Sequence, residues 1–393
     1  MRFQRFKLHG RSWSRPTNPA SEILGHSGNI KIIRPAPAAI PFSEGIHLQV
    51  VDGQNQSWRQ REIKDILRME FFALPAAKVI AEGKFSPDLW ANIHLNSYPG
   101  FDNGVNVFGR NPKSGTGWGK PVVIRYINAE PLEEEMKKKL TTTLDHYLPT
   151  WKKLLPKIQL SKNGIGQIDP QDPDFVVEEE KLAGKNEKTI WANEKFILVI
   201  VGNPHLSGLH LVVHTRESYW KKRGGFQRPW HVNPNGPEAP ENVEGYLEAV
   251  SIIFGAEKIL LEEEGLAFYN PEIHFSGNWA ADLVIAESGG KLNLDYYSME
   301  NLERARKAGK RIYKAGAEDE LQTAMHGHLY ATRDPKTFVK LPTRPQQEVP
   351  NQWEGITPLS VDETTRISQV ISKRLTPWLE KNASGKIYAK LSL

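Results

Sequence analysis

The sequence predicts an α+β fold, and three observations predict it. Two strand-like apolar runs between Thr189 and His214 flank a Gly-Asn-Pro-containing turn. A long amphipathic helix follows at about 241–264, and a short His-rich strand and a capped helix come near the end of the chain. Hairpin, helix, strand and helix in this order make an α+β pattern rather than a regular β-α-β alternation.

Composition bounds what such a fold can do. The chain has 393 residues, 39% hydrophobic and 25% charged, enough for a large core or for two or three domains. No apolar run approaches the roughly 18 residues that span a bilayer. The best candidate, Phe196-Ile-Leu-Val-Ile-Val201, has the length of a buried strand. There is no cysteine, which excludes disulfides, thiolate catalysis, Cys-ligated zinc and iron–sulfur clusters. A metal would have to be held by His and carboxylates, and a reducing, cytoplasmic setting is expected.

Net charge is +5, unevenly spread. Residues 1–40 carry Arg2, Arg5, Lys7, Arg11, Arg15, Lys31 and Arg34 against the single acid Glu22, leaving the rest slightly acidic. This stretch reads as a basic extended arm, ending in the Pro/Ala connector Arg34-Pro-Ala-Pro-Ala-Ala-Ile40. Because the body is not basic, nucleic acid is not the favoured partner. The start lacks the apolar stretch of a secretory signal.

Residues 41–160 form a mixed α/β region. Ile63, Ile66, Leu67 and Glu70 predict a helix over 61–72, and strands are expected at 90–95 and 121–127. Between them, Gly109-Arg-Asn-Pro-Lys-Ser-Gly-Thr-Gly-Trp-Gly-Lys-Pro121 lacks Walker A spacing and reads as a glycine-rich loop. Glu133-Glu-Glu-Met-Lys-Lys-Lys139 opens a charged helix over 131–155 with acids in its first turn. Asn163-Gly and Asp169-Pro, Asp172-Pro mark a turn-rich linker, 161–188. No internal repeat is visible.

The region 189–393 carries the chemistry. One strand is expected over 189–201 and a second over 209–214, then a Gly/Pro-rich loop and the helix whose apolar face is Val243, Tyr246, Leu247, Val250, Phe254 and Leu261. A strand at Ala267–Asn270, a helical insertion at about 283–320 and a strand at Met325–Ala331 follow. The last helix opens with capping-box spacing at Ser360-Val-Asp-Glu363.

Among twelve histidines, His326 and His328 form the one His-x-His pair. In a strand, residues two apart share a face. Two adjacent imidazoles suit joint metal ligation, or one acting as nucleophile on phosphorus while its neighbour orients it. Two polar strand residues without chemistry is the plain alternative. His205, His210 and His214 carry a weaker signal, as does Trp230-His231 in its loop. Lys291–Lys314 is a basic stretch able to attract a phosphorylated substrate.

The run Phe196–Arg216, with its Asn-Pro turn and Gly208-Leu-His-Leu-Val-Val-His214 strand, resembles the histidine-triad superfamily. So do Tyr269-Asn270 after the long helix and His326-Gly-His-Leu-Tyr330 at the end. The flavour is that of the galactose-1-phosphate uridylyltransferase and dinucleoside-tetraphosphate phosphorylase branch, with Tyr330 in the place of a third His.

The resemblance implies a HIT-like antiparallel sheet with flanking helices over about 189–380, and 41–160 as a degenerate second half or an unrelated domain. It implies a nucleotidyl transferase, phosphorylase or hydrolase acting on a nucleotide or nucleotide sugar. His328 would be the nucleophile and His326 would orient the site. Asn270 or Asn278 would position the phosphate, and backbone around Ser276–Trp279 would stabilise charge. His210 and Tyr330 complete the substrate-binding set. The same resemblance offers a metal alternative, zinc or iron on His274, His326 and His328, either structural or hydrolytic. A non-catalytic nucleotide- or nucleic-acid-binding protein is the third reading. Family relatives are often dimers, so a homodimer stays open.

Overall fold

The computed structural model describes residues 22–35, 38–40, 47–53, 61–82, 90–96, 104–110, 125–127, 132–160, 168–184, 187–201, 209–223, 226–227, 232–264, 272–275, 322–323, 326–331 and 360–387. Ten strands carry the architecture. In chain order they are β1 (Glu22–Ser27), β2 (Ile30–Arg34), β3 (His47–Val51), β4 (Trp90–Asn96), β5 (Val105–Arg110), β6 (Glu187–Ala192), β7 (Phe196–Val201), β8 (Leu209–Thr215), β9 (Glu272–Phe275) and β10 (His326–Ala331). The helices are α1 (Ile63–Glu82), α2 (Glu134–Leu154), α3 (Pro173–Gly184), α4 (Glu217–Arg223), α5 (Ala239–Glu264) and α6 (Val361–Asn382).

Two antiparallel sheets result. One has the order β1-β2-β3-β5-β4-β9 and the other β10-β8-β7-β6. Strand β9 runs beside β10, so the two sheets meet there edge to edge. The mixture of helices and antiparallel sheets is the expected α+β class.

Several local expectations change. Residues 22–34, read as part of an extended arm, form the β1–β2 hairpin, turned at Gly28-Asn29 with Gly28 at φ 61°. Leu24, Ile30 and Ile32 are buried while Lys31 is exposed, and Arg34 lies 3.7 Å from Glu22. Lys31 lies on the exposed side of β2, whereas Arg34 shares the buried side with Ile30 and Ile32 and faces Glu22 there. The expected linker 161–188 contains α3, whose first turn is capped by Asp172 Oδ1 accepting from the amides of Asp174 and Phe175.

The single strand expected over 189–201 is two strands. The chain reverses at Asn193, whose Oδ1 accepts from the amides of Lys195 (3.0 Å) and Phe196 (2.7 Å). Helix α1 runs past the expected end at 72, through Pro75, and is buried almost all round from Ile66 to Ile80. In α6 the expected capping box is present, Ser360 and Glu363 bonding reciprocally. The expected strand 267–270 and the insertion 283–320 lie outside the described residues. So do residues 1–21 and most of the glycine-rich loop.

The two halves repeat one order of elements. Strand order β1-β2-β3-β5 in the first half is matched by β6-β7-β8-β10 in the second, with β9 running beside β10 as β4 pairs with β5, and with α1 matched by α5 and α2 by α6. Even irregularities recur: the ladder skips Leu24 in β1 and Ile190 in β6. The sequence carries the repeat at the packed positions. Ile46-His-Leu48 matches Leu209-His-Leu211, and Ile93-His-Leu95 matches Ile273-His-Phe275. Leu140, Leu144, Leu148 and Trp151 of α2 match Ile367, Ile371, Leu375 and Trp378 of α6, down to Pro-Thr against Thr-Pro before the Trp. The two halves pair β4 with β9, His94 opposite His274, so the second half supplies the edge strand of the first sheet.

One face of the sheets is dry. Leu48, Val50, Val105 and Val107 in the first half, and Phe196, Leu198, Leu211 and Val213 in the second, lie in one core with α1, α2, α5 and α6. Phe71 packs edge-on against Phe72 and Trp151, at 5.3 and 5.6 Å between centroids. On α5, Gly255 lets α6 approach so closely that a Cβ there would lie 2.8 Å from the Trp378 ring. No described helix is long and apolar enough to cross a membrane.

Candidate functional site

The histidines gather on the opposite face. In the β8–β10 ladder, His210 stands opposite Tyr330, Val212 opposite His328, and His214 opposite His326. Directly opposed residues share a face. One face therefore carries His210, His214, His326, His328 and Tyr330, while Leu211 and Val213 pack in the core beneath. Alternation along β8 is what the sequence dictates here: every second residue is apolar and buried, so the polar set faces away from α5. His214 Nε2 lies 3.6 Å from Glu187 Oε2.

Helix α3 lies on this same face. Its Phe175 and Leu182 cover Ala192, Ile197, Val199 and Val212. Val212 is the residue opposite His328, so the segment expected to be a linker forms one wall beside the histidines.

His274 comes from the other sheet. It stands opposite His94 of β4, which stands opposite Asn106 of β5, which stands opposite Gln49 of β3. The repeat relates this row to the His-x-His strand. His47 corresponds to His210, Asn106 to His328 and Phe108 to Tyr330, each at the same place in its ladder. In the first half Asn106 is paired with His94, so the matching neighbour of His328 is His274. Asn270, Ser276, Asn278 and Trp279 lie outside the described residues, as do His205, His231 and the basic stretch 291–314.

The two halves are chemically unequal. Asn106 holds the position of His328, is fully buried, and has Oδ1 2.9 Å from Nε2 of buried His47. Gly104 holds the position of His326, and a Cβ there would sit 2.6 Å from the Val50 carbonyl oxygen and 2.8 Å from Val51 Cγ1. The first half has neither the imidazole pair nor room for it. Gly104→Ala is expected to cost about 1–3 kcal/mol, because backbone on β3 must move. A urea unfolding midpoint equal to that of the parent chain would contradict this packing.

No protein-family model matches the chain, and no curated protein matches it in sequence. Among solved structures the chain is similar to the X-ray structure of a galt-like protein from Arabidopsis thaliana, with 7% sequence identity, 88% of this chain and 83% of that chain covered, and a TM-score of 0.37. A likeness that loose transfers no residue role.

Sequence reading missed His47, His94 and Asn106. The signal available was the paired Ile-His-Leu, Leu-His-Leu and Ile-His-Phe triplets, legible only once the halves are superposed. Among the described residues no group of three or more His, Asp or Glu is gathered as a metal site. A cavity of about 680 Å³ lies between β6 and α6, lined by Thr189, Ser368, Ser372, Lys373 and Thr376 among others, and contains no sequence-predicted site residue. The strongly shifted groups are structural: burial raises the Glu70 carboxyl to about 7, and it accepts a 2.5 Å bond from Tyr246 between α1 and α5.

Proposed function

We propose that the chain transfers or hydrolyses a nucleotidyl group through a histidine nucleophile, His328. The observation that carries the reading is the β8–β10 register, which puts His326, His328, Tyr330 and His210 on one face of the sheet. Two alternate imidazoles on one strand, where the matching strand of the first half has Gly104 and Asn106, support a chemical role for the pair.

In the first step an imidazole nitrogen of His328 forms a bond to the α-phosphorus while the bond to the leaving phosphate or sugar phosphate breaks. In the second, an acceptor oxygen from water, phosphate or a sugar phosphate attacks that phosphorus and the P–N bond breaks. Dividing one difficult displacement into two is the advantage of covalent catalysis. His326 orients the nucleophile. Asn270 and Asn278, with backbone near Ser276 and Trp279, hold the phosphate oxygens, and developing charge on those oxygens is where fixed donors contribute most.

A second reading puts zinc or iron on His274, His326 and His328. It is favoured by the neighbouring paths of β9 and β10, and three imidazoles are a suitable donor set for either metal. When bound, such an ion would supply a Lewis acid or a structural tie.

Intact-mass spectra after incubation with nucleoside triphosphates and nucleotide sugars test the proposal. An acid-labile adduct of one nucleotidyl group is expected, absent in His328→Ala at unchanged circular dichroism. Full turnover by His328→Ala would sink the reading. Metal bound by the parent chain and lost on His274→Ala, without any adduct, would favour the second.

A further inference from the structure

We propose that the cavity between β6 and α6 is a binding site for a small hydroxylated anion, a polyol carrying one carboxylate or phosphate. The cavity measures about 680 Å³, within the range of small-molecule sites. Helix α6 packs in the core with Leu211 and Val213, so the cavity lies on the side of the second sheet away from the histidines. It is a second site, independent of the reading of His328 as nucleophile.

The cavity forms where the two halves differ. In the first half Gly25 follows the residue that the β1 ladder skips, and a Cβ there would lie 3.0 Å from Leu148 Cδ1 and 3.6 Å from Leu144 Cδ1 of α2. Helix and strand touch at that point. Trp191 holds the matching place in β6, after the skipped Ile190. Its indole Nε1 donates to Thr376 Oγ1 of α6 at 2.9 Å. An indole needs far more room than a glycine hydrogen, so α6 stands off the strand and space opens beside Thr189.

The lining chooses the occupant. Ser368, Ser372 and Thr376 recur every fourth residue and stand along one side of α6. Ser368 Oγ donates to the Thr364 carbonyl and Thr376 Oγ1 accepts from Trp191, which leaves lone pairs on the first and a proton on the second. Gln369 and Lys373 stand exposed at the rim, with no side-chain hydrogen bond or ion pair among the described residues. Strand β6 is the outer strand of its sheet, so no strand among the described residues pairs with its free edge. None of the lining residues is acidic, although Asp145 holds in α2 the place that Ser372 holds in α6. None is aromatic, so a nucleobase has no ring to stack on. One unpaired ammonium beside several hydroxyls suits a single negative charge and a hydroxylated chain.

The full-length chain should be titrated calorimetrically with gluconate, sorbitol 6-phosphate and sorbitol. The three share a hydroxylated chain and differ in carrying a carboxylate, a phosphate or no charge. At least one anion is expected to bind about tenfold or more tightly than sorbitol, because the neutral compound lacks the charge-assisted contact. Whichever anion binds identifies the charged group. Lys373→Gln, at an exposed position, should lower that anion to the affinity of sorbitol with the unfolding midpoint unchanged. Ser372→Leu fills the cavity and should abolish binding while Lys373 remains.

His328→Ala should bind the anion as the parent chain does. A parent chain that binds neither anion, or binds them no more tightly than sorbitol, overturns the site. So does an affinity unmoved by Lys373→Gln or by folded Ser372→Leu. Loss of binding in His328→Ala would put the anion on the histidine face and overturn it as well. If Ser372→Leu does not fold, Lys373→Gln and His328→Ala decide. Failure to form a nucleotidyl adduct, with Lys373-dependent binding intact, would remove the proposed chemistry and leave this site standing.

Discussion

Glu178→Ala is expected to destabilise the chain by about 3–5 kcal/mol, the range for removing one member of a buried ion pair. Glu178, on α3, accepts from Arg216 Nε at 2.8 Å and from the Ser218 amide at 2.8 Å. Both side chains are nearly buried, at 8% and 4% exposure. Without the carboxylate, the Arg216 guanidinium stays desolvated, held over the Phe175 ring at 5.8 Å, with no anion to balance it. Glu178→Gln keeps an acceptor for the amide and should fall between the two. Chemical denaturation measures both. A loss under about 1 kcal/mol, the value of an exposed pair, would show that α3 is not clamped to the sheet by this contact. Since α3 walls the histidine face, nucleotidyl adduct formation should fall with it.

Stability should also fall as pH rises through the range set by Glu70. This residue sits between α1 of the first half and α5 of the second, and its Oε2 accepts from the Tyr246 hydroxyl. Burial pushes its carboxyl from the ordinary 4.5 up to about 7. Below about 4.5 it is protonated in both folded and unfolded chains, and the folded state bears no penalty. Between 4.5 and about 7 the unfolded chain loses this proton first, so unfolding becomes progressively easier. Above about 7 both states are ionised and the slope ends. Integrated over that interval, the effect is roughly 3 kcal/mol, with the folded state favoured on the acid side.

Glu70→Gln retains an acceptor for Tyr246 and cannot ionise. Its unfolding free energy should therefore exceed that of the parent chain at about pH 8, and the difference should vanish near pH 4. Parallel stability profiles for the two chains would refute the assignment. The contact has a structural meaning as well, since it ties one copy of the repeat to the other by their central helices.

Different features were legible to different degrees. The β7–β8 hairpin, the capping box of α6 and the shared face of His326 and His328 follow from short-range rules, a turn signal, a reciprocal cap and a period of two. The β1–β2 hairpin was hidden because charge counting registers Lys31 and Arg34 without noticing that Ile30, Ile32 and Arg34 fall on one side of a strand and Lys31 on the other. Helix α3 was hidden by its Asp-Pro start, which signals a turn and a helix N-terminus equally well. The repeated order of elements escaped because the residues that match between the halves are few, such as Trp151 and Trp378, and loops of unequal length carry the halves out of step.

The sequence by itself determined the local elements and the presence of an imidazole pair on one strand, because backbone periodicity and capping act within a few residues. It also excluded thiolate and disulfide chemistry through the absence of cysteine. Only the tertiary structure decided that β9 leaves the second half to pair with β4, that His274 meets His94, and that Asn106 occupies in one copy the position His328 occupies in the other. Strand pairing over such separations is chosen by burial of whole faces against α1 and α5, a global free-energy balance that no window of residues contains.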